Sequence, residues 1–522
     1  MRHELPLTLT DEQQEIIDFP LNMKVNAVAG SGKSTTLIEY AAARPGTRIL
    51  YLGFNRSVRL EAQTRFARHG LTGVDIHTAH SLAYRYVMRS GRYKLSQTGD
   101  LSIPDIMTQC DLTSRYGPKV GAMLAAHIRR LMGYFCNAEA TTLTELVYEH
   151  TIDPGDKKVR SFLAKYREVI YGLTQRLFTQ MDEGKLAVTH DFYLKKFQLL
   201  CPALPYDYIL FDEGQDASQT MLHVFLRQAA IKVIVGDQHQ QIYSFRFAVN
   251  SLQRVGFPTL NLTTSFRFGQ PIADQAMCVL DWKRMVDPTY QAQSITGTFT
   301  PKAGLNPLHA TIGRTNISVL AQAIESLCIR EEIGSLYFEG QFTTYTYMDA
   351  GGSLFDILNL HLGKNHLIRS PLLASMGDIE GLKEYVDATG DAAMRLGLEI
   401  VKTYEADLFD FIRQIKEAHL PDANRGLADR IFSTVHRCKG LEYNAIDVCD
   451  DFIAERVILE NLDKWAVMDK GEREFIEAKA QEEINMLYVA LTRTKKMSRL
   501  PPELYLSLAS WYQRADQAVE ES

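Results

Sequence analysis

Eight residues near the start of the chain, Ala27-Val28-Ala29-Gly30-Ser31-Gly32-Lys33-Ser34, have the make-up of a phosphate cradle. Glycines there let backbone N–H groups approach phosphate oxygens without an intervening side chain. Lys33 offers charge to β- and γ-phosphates, and Ser34 a hydroxyl to Mg2+. Ala27 stands where the common pattern has its first glycine. Far downstream, Asp212-Glu213-Gly214-Gln215-Asp216 sets two adjacent carboxylates behind an apolar run. A carboxylate at 212 suits the same Mg2+, and Glu213 is placed to orient and deprotonate an attacking water. In the segment Val235 to Arg246, Gln240 falls where it can sense a γ-phosphate, and Phe245 and Arg246 where they can meet a base and a backbone phosphate. Near the other end, Tyr488-Val489-Ala490-Leu491-Thr492-Arg493 closes on an arginine at the head of a short basic stretch. A small-molecule kinase needs the loop alone. A motor whose site lies in a cleft between two lobes needs both ends.

These groups require elements that deliver them to one place. Met23 to Val28 reads as a strand ahead of the glycines, and Thr35 to Ala43 as the helix behind them. Thr47 to Phe54 reads as a second strand. Short apolar runs recur at Tyr208–Phe211, Ile231–Val235, Leu260–Thr263, Ala310–Ile312, Ile431–Val435 and Ala445–Cys449, each ending at a polar or glycine-rich motif. Buried parallel strands of an α/β sheet present functional loops in this way. Two intervals, roughly Ser96 to Lys185 and Pro371 to Asn424, are helical in pattern and read as insertions. A short helix is expected after Pro502.

Composition sets the bounds. At 522 residues the chain has room for three or four domain-sized units, and 46% hydrophobic with 23% charged residues is an ordinary globular balance. No stretch approaches the roughly 20 apolar residues that span a bilayer, and the start Met1-Arg2-His3-Glu4 has no apolar signal core. Seven cysteines occur without a CxxC pair, which points to incidental thiols in a reducing compartment rather than a zinc or iron–sulfur site. The net charge of −6 is no nucleic-acid signature, but its distribution is uneven. Asn55 to Lys94 holds eight Lys/Arg against two acids, with Phe54, Phe66, Tyr84, Tyr86 and Tyr93 interleaved. Cations beside flat rings suit a single strand; a solvated helix face would look the same. The interval 371–424 holds eleven acids and five Lys/Arg and is poorly suited to gripping phosphates.

Taken in order, these segments resemble superfamily 1 DNA helicases of the UvrD/Rep/PcrA group, across about residues 7 to 496. Leu9-Thr10-Asp11-Glu12-Gln13 looks like the Q motif, and Gly53-Phe54-Asn55 and Thr78-Ala79-His80-Ser81 look like motifs Ia and Ib. The DEGQD segment is similar to motif II and GDQHQQIYSFR to motif III. Leu262 to Arg267 resembles motif IV, Thr434 to Tyr443 motif V, and Glu482 to Arg493 motif VI. The wording leans toward the F-box DNA helicase branch, from HQQIYSFR, from Thr264 to Gly269 and from Val188 to Lys195. The chain as given leaves no room for an F-box before the Q motif, nor for a RecB-type nuclease domain after motif VI.

The resemblance implies two RecA-like P-loop lobes, parallel sheets flanked by helices, with a helical insertion in each. It divides the chain into lobe 1A (1–95 and 186–262), insertion 1B (96–185), lobe 2A (263–370 and 425–510), a reduced insertion 2B (371–424) and a tail (511–522). The implied nucleotide site holds ATP and Mg2+. Gln13 reads adenine, and Ala29, Gly30, Ser31, Gly32, Lys33, Ser34 and Thr35 surround the phosphates. Phe266 stacks on the base, replacing a usual tyrosine, Arg267 meets the γ-phosphate, Glu442 faces the ribose and Arg493 is the arginine finger. Ser34 and Asp212 face the metal. The implied DNA contacts are Phe54, Asn55, His80, Phe245, Arg246 and His436. Phe247 stands where glycine is usual after motif III, so a different local turn is expected. The implied activity is 3′→5′ stepping along single-stranded or tailed duplex DNA, in the cytoplasm and at the nucleoid if the source is a bacterium or phage. Two other readings remain. One is a DNA-gated NTPase that controls a partner effector, with a protein partner supplying nuclease or regulatory function. The other is a small-molecule kinase, which leaves motifs IV to VI without a role.

Overall fold

A computed structural model describes residues 9–244, 247, 250–300, 308–347 and 352–520, with side chains as far as 513. Six strands build the first sheet: β1 (Met23–Ala27), β2 (Ile49–Gly53), β3 (Val74–Thr78), β4 (Tyr208–Phe211), β5 (Ile231–Gly236) and β6 (Thr259–Leu262). All pairings are parallel, in the order β3-β2-β4-β5-β1-β6. Every residue of β2 is buried, as expected of a strand covered by helices on both faces. A two-stranded ribbon follows, β7 (Thr264–Ser265) with β8 (Thr296–Gly297). The second sheet contains β9 (His309–Gly313), β10 (Leu336–Phe338), β11 (Arg430–Thr434), β12 (Tyr443–Val448) and β13 (Thr494–Arg499), also parallel, in the order β10-β11-β9-β12-β13.

The strand carboxyl ends carry the chemistry. The cradle follows β1, Phe54 and Asn55 follow β2, His80 follows β3, Asp212 follows β4 and Asp237 follows β5. Crossover connections place such loops on one edge of a parallel sheet, which is where ligands of α/β sheets bind. The cradle helix spans Lys33–Ala42, two residues earlier than its apolar pattern indicates. Its N-cap is Gly32 at φ 80°, a left-handed position that glycine occupies without steric cost.

The first insertion contains the helices Ile103–Gln109, Leu112–Asn137 and Lys157–Asp182. Its ends are tied together: Ser96 N–H donates to the Val188 carbonyl (3.0 Å), and Val188 N–H donates to the Lys94 carbonyl (2.8 Å). Leu112–Asn137 bends at Gly117, which leaves helical geometry (φ 77°, ψ 165°) just before Pro118. Proline lacks an N–H and pushes its predecessor out of the helical region. Between β10 and β11 the described residues form a series of helices, among them Thr343–Thr346, Leu354–His361 and, last, Leu408–Ala418, so helices begin well before residue 371. Within it, Ile379–Thr389 packs on the first insertion, where Lys119 pairs with Glu384 (2.9 Å) and Lys158 with Asp387 (2.7 Å). One continuous apolar core runs from Leu50 and Leu52 through both helical groups to Phe432. Among the described residues no helix is long and apolar enough to cross a membrane. All seven cysteines are free thiols.

Candidate active site

The cradle opens into a cavity of about 380 Å3 whose wall includes Gly30 to Thr35, Asp212, Glu213, Gln240, Arg267, Lys439, Glu442 and Arg493. Residues separated by more than four hundred positions therefore share one wall. The N-terminal end of the cradle helix faces it, with unpaired N–H groups and the positive end of the helix dipole. Gly30 is required by what lies on top of it. A Cβ there would come within 2.5 Å of Arg267 Cβ and 2.8 Å of Ser265 Oγ. The segment after β6 clamps the loop from outside: Ser265 O–H donates to the Ala29 carbonyl (2.7 Å) and Phe266 N–H to the Gly30 carbonyl (3.0 Å). The exposed Phe266 ring lies over Gly32.

Gln13 reaches the cradle but its amide is engaged. Its Oε1 accepts from Thr10 N–H (3.0 Å) in a capping box, and its Nε2 donates to Thr36 Oγ1 (3.2 Å). Ala29 is buried behind the wall, and its N–H points to the Tyr488 hydroxyl at 3.5 Å.

At the end of β4, Asp212 is buried, with one oxygen accepting from Glu213 N–H (2.9 Å) and the other from the Tyr51 hydroxyl. Glu213 has φ 53°, an uncommon left-handed conformation for a side chain of this size, of the kind that gathers at functional sites. It pairs with Lys33 (Nζ to Oε1, 3.2 Å) and accepts from Gln215 Nε2 (2.6 Å). Burial pushes the Asp212 carboxyl up, and the neighbouring Glu213 charge adds to this. Burial acts on Glu213 too, but the Lys33 ammonium, then Lys439, outweigh it and hold that carboxylate ionised. An ionised carboxylate beside a phosphate cradle can accept a proton from water. The hydroxyl of Ser34 and the carboxylate of Asp212 form an oxygen-only donor set, which suits Mg2+. Asp212 has accepted two hydrogen bonds of the roughly four its oxygens can take. Among the described residues no three His, Cys, Asp or Glu gather into a metal cage.

The other half of the wall comes from the second sheet's side. Arg267 Nε donates to Glu442 Oε1 (2.8 Å) and its Nη1 to the Thr492 carbonyl (3.2 Å), while Glu442 also pairs with Lys495 (2.7 Å). Arg493 is only 1% exposed. Its Nε donates to the Val489 carbonyl (2.9 Å) and its Nη2 to Thr492 Oγ1 (3.1 Å), which fixes the guanidinium plane. Burial and the Arg267 charge push it down to about 10, so it stays cationic at neutral pH. Four residues at this site escape a reading of the sequence: Tyr51, Gln215, Lys439 and Tyr488. Lys439 pairs with Asp216 and donates to the Gln240 carbonyl (2.7 Å). Lys439 and Tyr488 lie inside segments whose pattern is plain, but nothing local announces their partners.

A second hollow, a groove of about 1060 Å3, begins where the first ends: Phe54, Asn55, Asp216 and Tyr243 line both. Phe54 and Tyr243 stack with ring centres 5.5 Å apart and planes at 20°. Arg56, Arg129 and Arg130 add cations, Arg129 being paired with Asp100 (2.5 Å), and Asp191, Asp216 and Asp391 line the groove with them, as does His80, 3.5 Å from Asp191. Flat rings among cations are what a single strand requires. Asn55 is placed there but caps the helix Arg56–Arg68, accepting from Val58 N–H (2.9 Å). His436 is turned instead to the neighbouring segment, its Nε2 against the Ile242 carbonyl at 3.1 Å. The basic window does not form one face. Arg65 turns to the nucleotide side and donates to Thr35 Oγ1 (3.0 Å). Phe245 and Arg246 lie outside the described residues. Phe247 keeps a left-handed turn (φ 59°) despite its side chain, and its ring packs on Tyr134 at 5.2 Å.

The chain is similar in sequence to known proteins. The UvrD/REP helicase N-terminal domain matches residues 9–253, and the UvrD-like helicase C-terminal domain matches residues 378–510. Two curated relatives are each 28% identical over 94% of this chain: F-box DNA helicase 1 of Gallus gallus and F-box DNA helicase protein 1 of Schizosaccharomyces pombe. The chain covers 48% and 57% of their lengths, so it spans about half of each. The first match ends just beyond the Gln240 segment and the second takes in Lys439, Glu442 and Arg493, so the two matched domains meet at the cavity, and the chain belongs to the UvrD/REP family of helicases.

Proposed function

We propose that this chain is an ATP-dependent motor on single-stranded DNA that unwinds duplex in the 3′→5′ direction. The supporting observation is the shared wall: Arg267 and Arg493 face the same cavity as Lys33 and Glu213. In this reading lobe 1A comprises residues up to 95 and 186–262, lobe 2A comprises 263–342 and 425–510, and the helical insertions are 96–185 and 343–424. The F-box DNA helicases named above favour DNA as the partner strand. The 3′→5′ direction rests on the family resemblance.

Nucleotide entry exchanges partners. Without it, Lys33 is paired with Glu213 and Arg267 with Glu442. Phosphate oxygens draw both cations away, which leaves Glu213 free to take a proton from the attacking water. Arg493 and Arg267 then face the charge that develops on the transferred group, a role for which a permanently charged, forked donor is suited. Ser34 and Asp212 would hold Mg2+, which when bound neutralises charge on the phosphate oxygens. Loss of the γ-phosphate returns Lys33 and Arg267 to their carboxylates and loosens the cleft. The Phe54–Tyr243 stack, on the wall between cavity and groove, passes that change to bases stacked beside it.

The test uses purified protein on duplexes with a 3′ or a 5′ single-stranded tail, with ATPase measured alongside. Strand displacement from the 3′-tailed substrate alone, with ATPase rising on single-stranded DNA, is the expected result. Hydrolysis without displacement of either substrate would favour a DNA-gated sensor and sink the motor.

A further inference from the structure

The segment Asp237 to Ser244 continues from β5 of the first sheet, yet its side-chain bonds lead to the other lobe. One face of the helix Lys470–Leu491 carries Glu482, Asn485 and Tyr488 at a spacing of three, so they stack on successive turns. Tyr488 O–H donates to Asp237 Oδ2 (2.8 Å), Asn485 Nδ2 to the Gln241 carbonyl (2.9 Å), and Glu482 Oε1 accepts from Ser244 N–H (2.9 Å). The strap thus runs antiparallel to the helix and is read by it residue by residue.

Lys283 completes the junction. It lies 5% exposed in the helix Lys283–Val286, with Nζ 2.8 Å from His239 Nδ1 and 2.6 Å from Asn485 Oδ1. Both partners are neutral groups: burial holds the His239 imidazole uncharged, and the Lys283 charge beside it acts the same way. Burial lowers Lys283 itself to about 7, against the pull of Asp237 and Asp287. An ammonium buried among neutral partners is a poor source of stability; its two directed bonds fix where His239 sits. The next residue, Gln240, donates to Asp237 Oδ2 (2.9 Å) and lines the nucleotide cavity.

We propose that Lys283 is a positioning residue: from the C-terminal lobe it pins His239, so that Gln240 is set against the γ-phosphate only while the two lobes are closed. This rests on the ATPase reading above, and its role is separable from it. Lys283→Met keeps the length and volume of the side chain and removes the donor. With saturating single-stranded DNA, kcat for ATP should fall at least about tenfold, while KM for ATP and DNA affinity stay within about threefold. In a Gln240→Ala background the same substitution should have no further effect, because it acts through Gln240. Backbone amide exchange over residues 237–244, measured without nucleotide, should quicken. Lys283→Gln, shorter than lysine and uncharged, should reproduce the pattern if Lys283→Met folds poorly. Unchanged strap exchange, or an equal loss of kcat with and without Gln240, overturns the proposal. Quickened exchange in a chain with no ATPase would keep the pin and remove the ATPase reading.

Discussion

The Lys439–Asp216 pair gives the sharpest test of how the lobes hold each other. Lys439 is 10% exposed at its side chain and Asp216 is 0% exposed, so water screens neither. Burial pushes Asp216 up to about 6 even with the ammonium beside it, and its Oδ1 has no partner among the described residues. In Lys439→Met that carboxyl loses its cation, is pushed further up and should become protonated at neutral pH. Keeping a carboxyl with an ordinary value of 3.8 neutral at pH 7 costs about 4 kcal/mol, roughly 1 kcal/mol more than it costs already. The charged hydrogen bond to the Gln240 carbonyl is lost as well, at about 1.5–3 kcal/mol. The total of about 2.5–4 kcal/mol overlaps what breaking a buried pair costs. The pH sign follows from the raised value. Stability contributed by such a carboxyl is complete below 3.8 and is lost as pH rises through its folded value, near 6 in the native chain and higher in the variant, which lacks the cation that lowers it. The gap between the two proteins should therefore be widest near pH 8 and shrink toward pH 5. Urea unfolding at pH 5, 7 and 8 measures it, and Asp216→Asn added to the variant should recover most of the loss. A gap independent of pH, or no recovery in the double variant, would refute a buried ionic junction between the lobes.

Other expectations follow from the same geometry. Lys33→Ala should abolish ATP hydrolysis and leave binding of a labelled oligothymidylate largely intact; normal turnover would show that the cradle is not the nucleotide site. Arg493→Ala should lower kcat by roughly 10³ or more, and Arg493→Lys should not restore it, because a lysine cannot reproduce the donors to the Val489 carbonyl and Thr492 while facing the cavity. Gly30→Ala should cost nucleotide affinity and lower the melting temperature, since φ 77° and the Arg267 Cβ 2.5 Å away leave no room for a methyl group. Phe54→Ala and Tyr243→Ala should each weaken single-strand binding by roughly 1–3 kcal/mol without regard to sequence, read by fluorescence anisotropy on two unrelated oligonucleotides.

Much of the site can be read from the chain because each part follows an apolar run: the cradle after β1, Asp212 after β4, Gln240 after β5. The parallel arrangement of the sheets is legible for the same reason. What is hidden depends on contacts the pattern cannot encode. The strand β13, Thr-Lys-Lys-Met-Ser-Arg, is almost wholly polar and is a strand because β12 offers it an edge. The strand β10 is three residues long and β3, though its residues alternate, has only two apolar side chains, Val74 and Ile76, so neither stands out. Gln13 is found where expected, against the loop, yet its amide is committed to Thr10 and Thr36, an outcome set by local capping rather than by motif. Lys283 is the clearest case. In sequence it is one cation beside Arg284, and only the approach of His239 and Asn485, 44 and 202 positions away, gives it a role.

The Lys33–Glu213 and Arg267–Glu442 pairs bear on how a nucleotide could drive motion. Lys33 is satisfied by Glu213, and Arg267 by Glu442, so neither of these two cations pulls phosphate in at no cost. Each pair must be broken as a phosphate oxygen takes the carboxylate's place, and each re-forms when that oxygen leaves. Binding and release are thereby near-balanced exchanges, in which the affinity difference between triphosphate and diphosphate is concentrated on the last phosphate. Lys33 pairs within the first lobe, whereas Arg267 and Glu442 lie on the side of the second. A γ-phosphate joins the two exchanges into one bridge, which neither carboxylate can do because each belongs to a single side. A ligand shifts such an equilibrium only by its differential affinity for the two states, and here the differential part is that bridge. The strap carrying Gln240 and the Lys439–Asp216 pair cross the cleft at the same level, adjoining the Phe54–Tyr243 stack. On the proposed mechanism, a substitution that loosens either crossing contact should reduce the dependence of hydrolysis on DNA together with the rate itself.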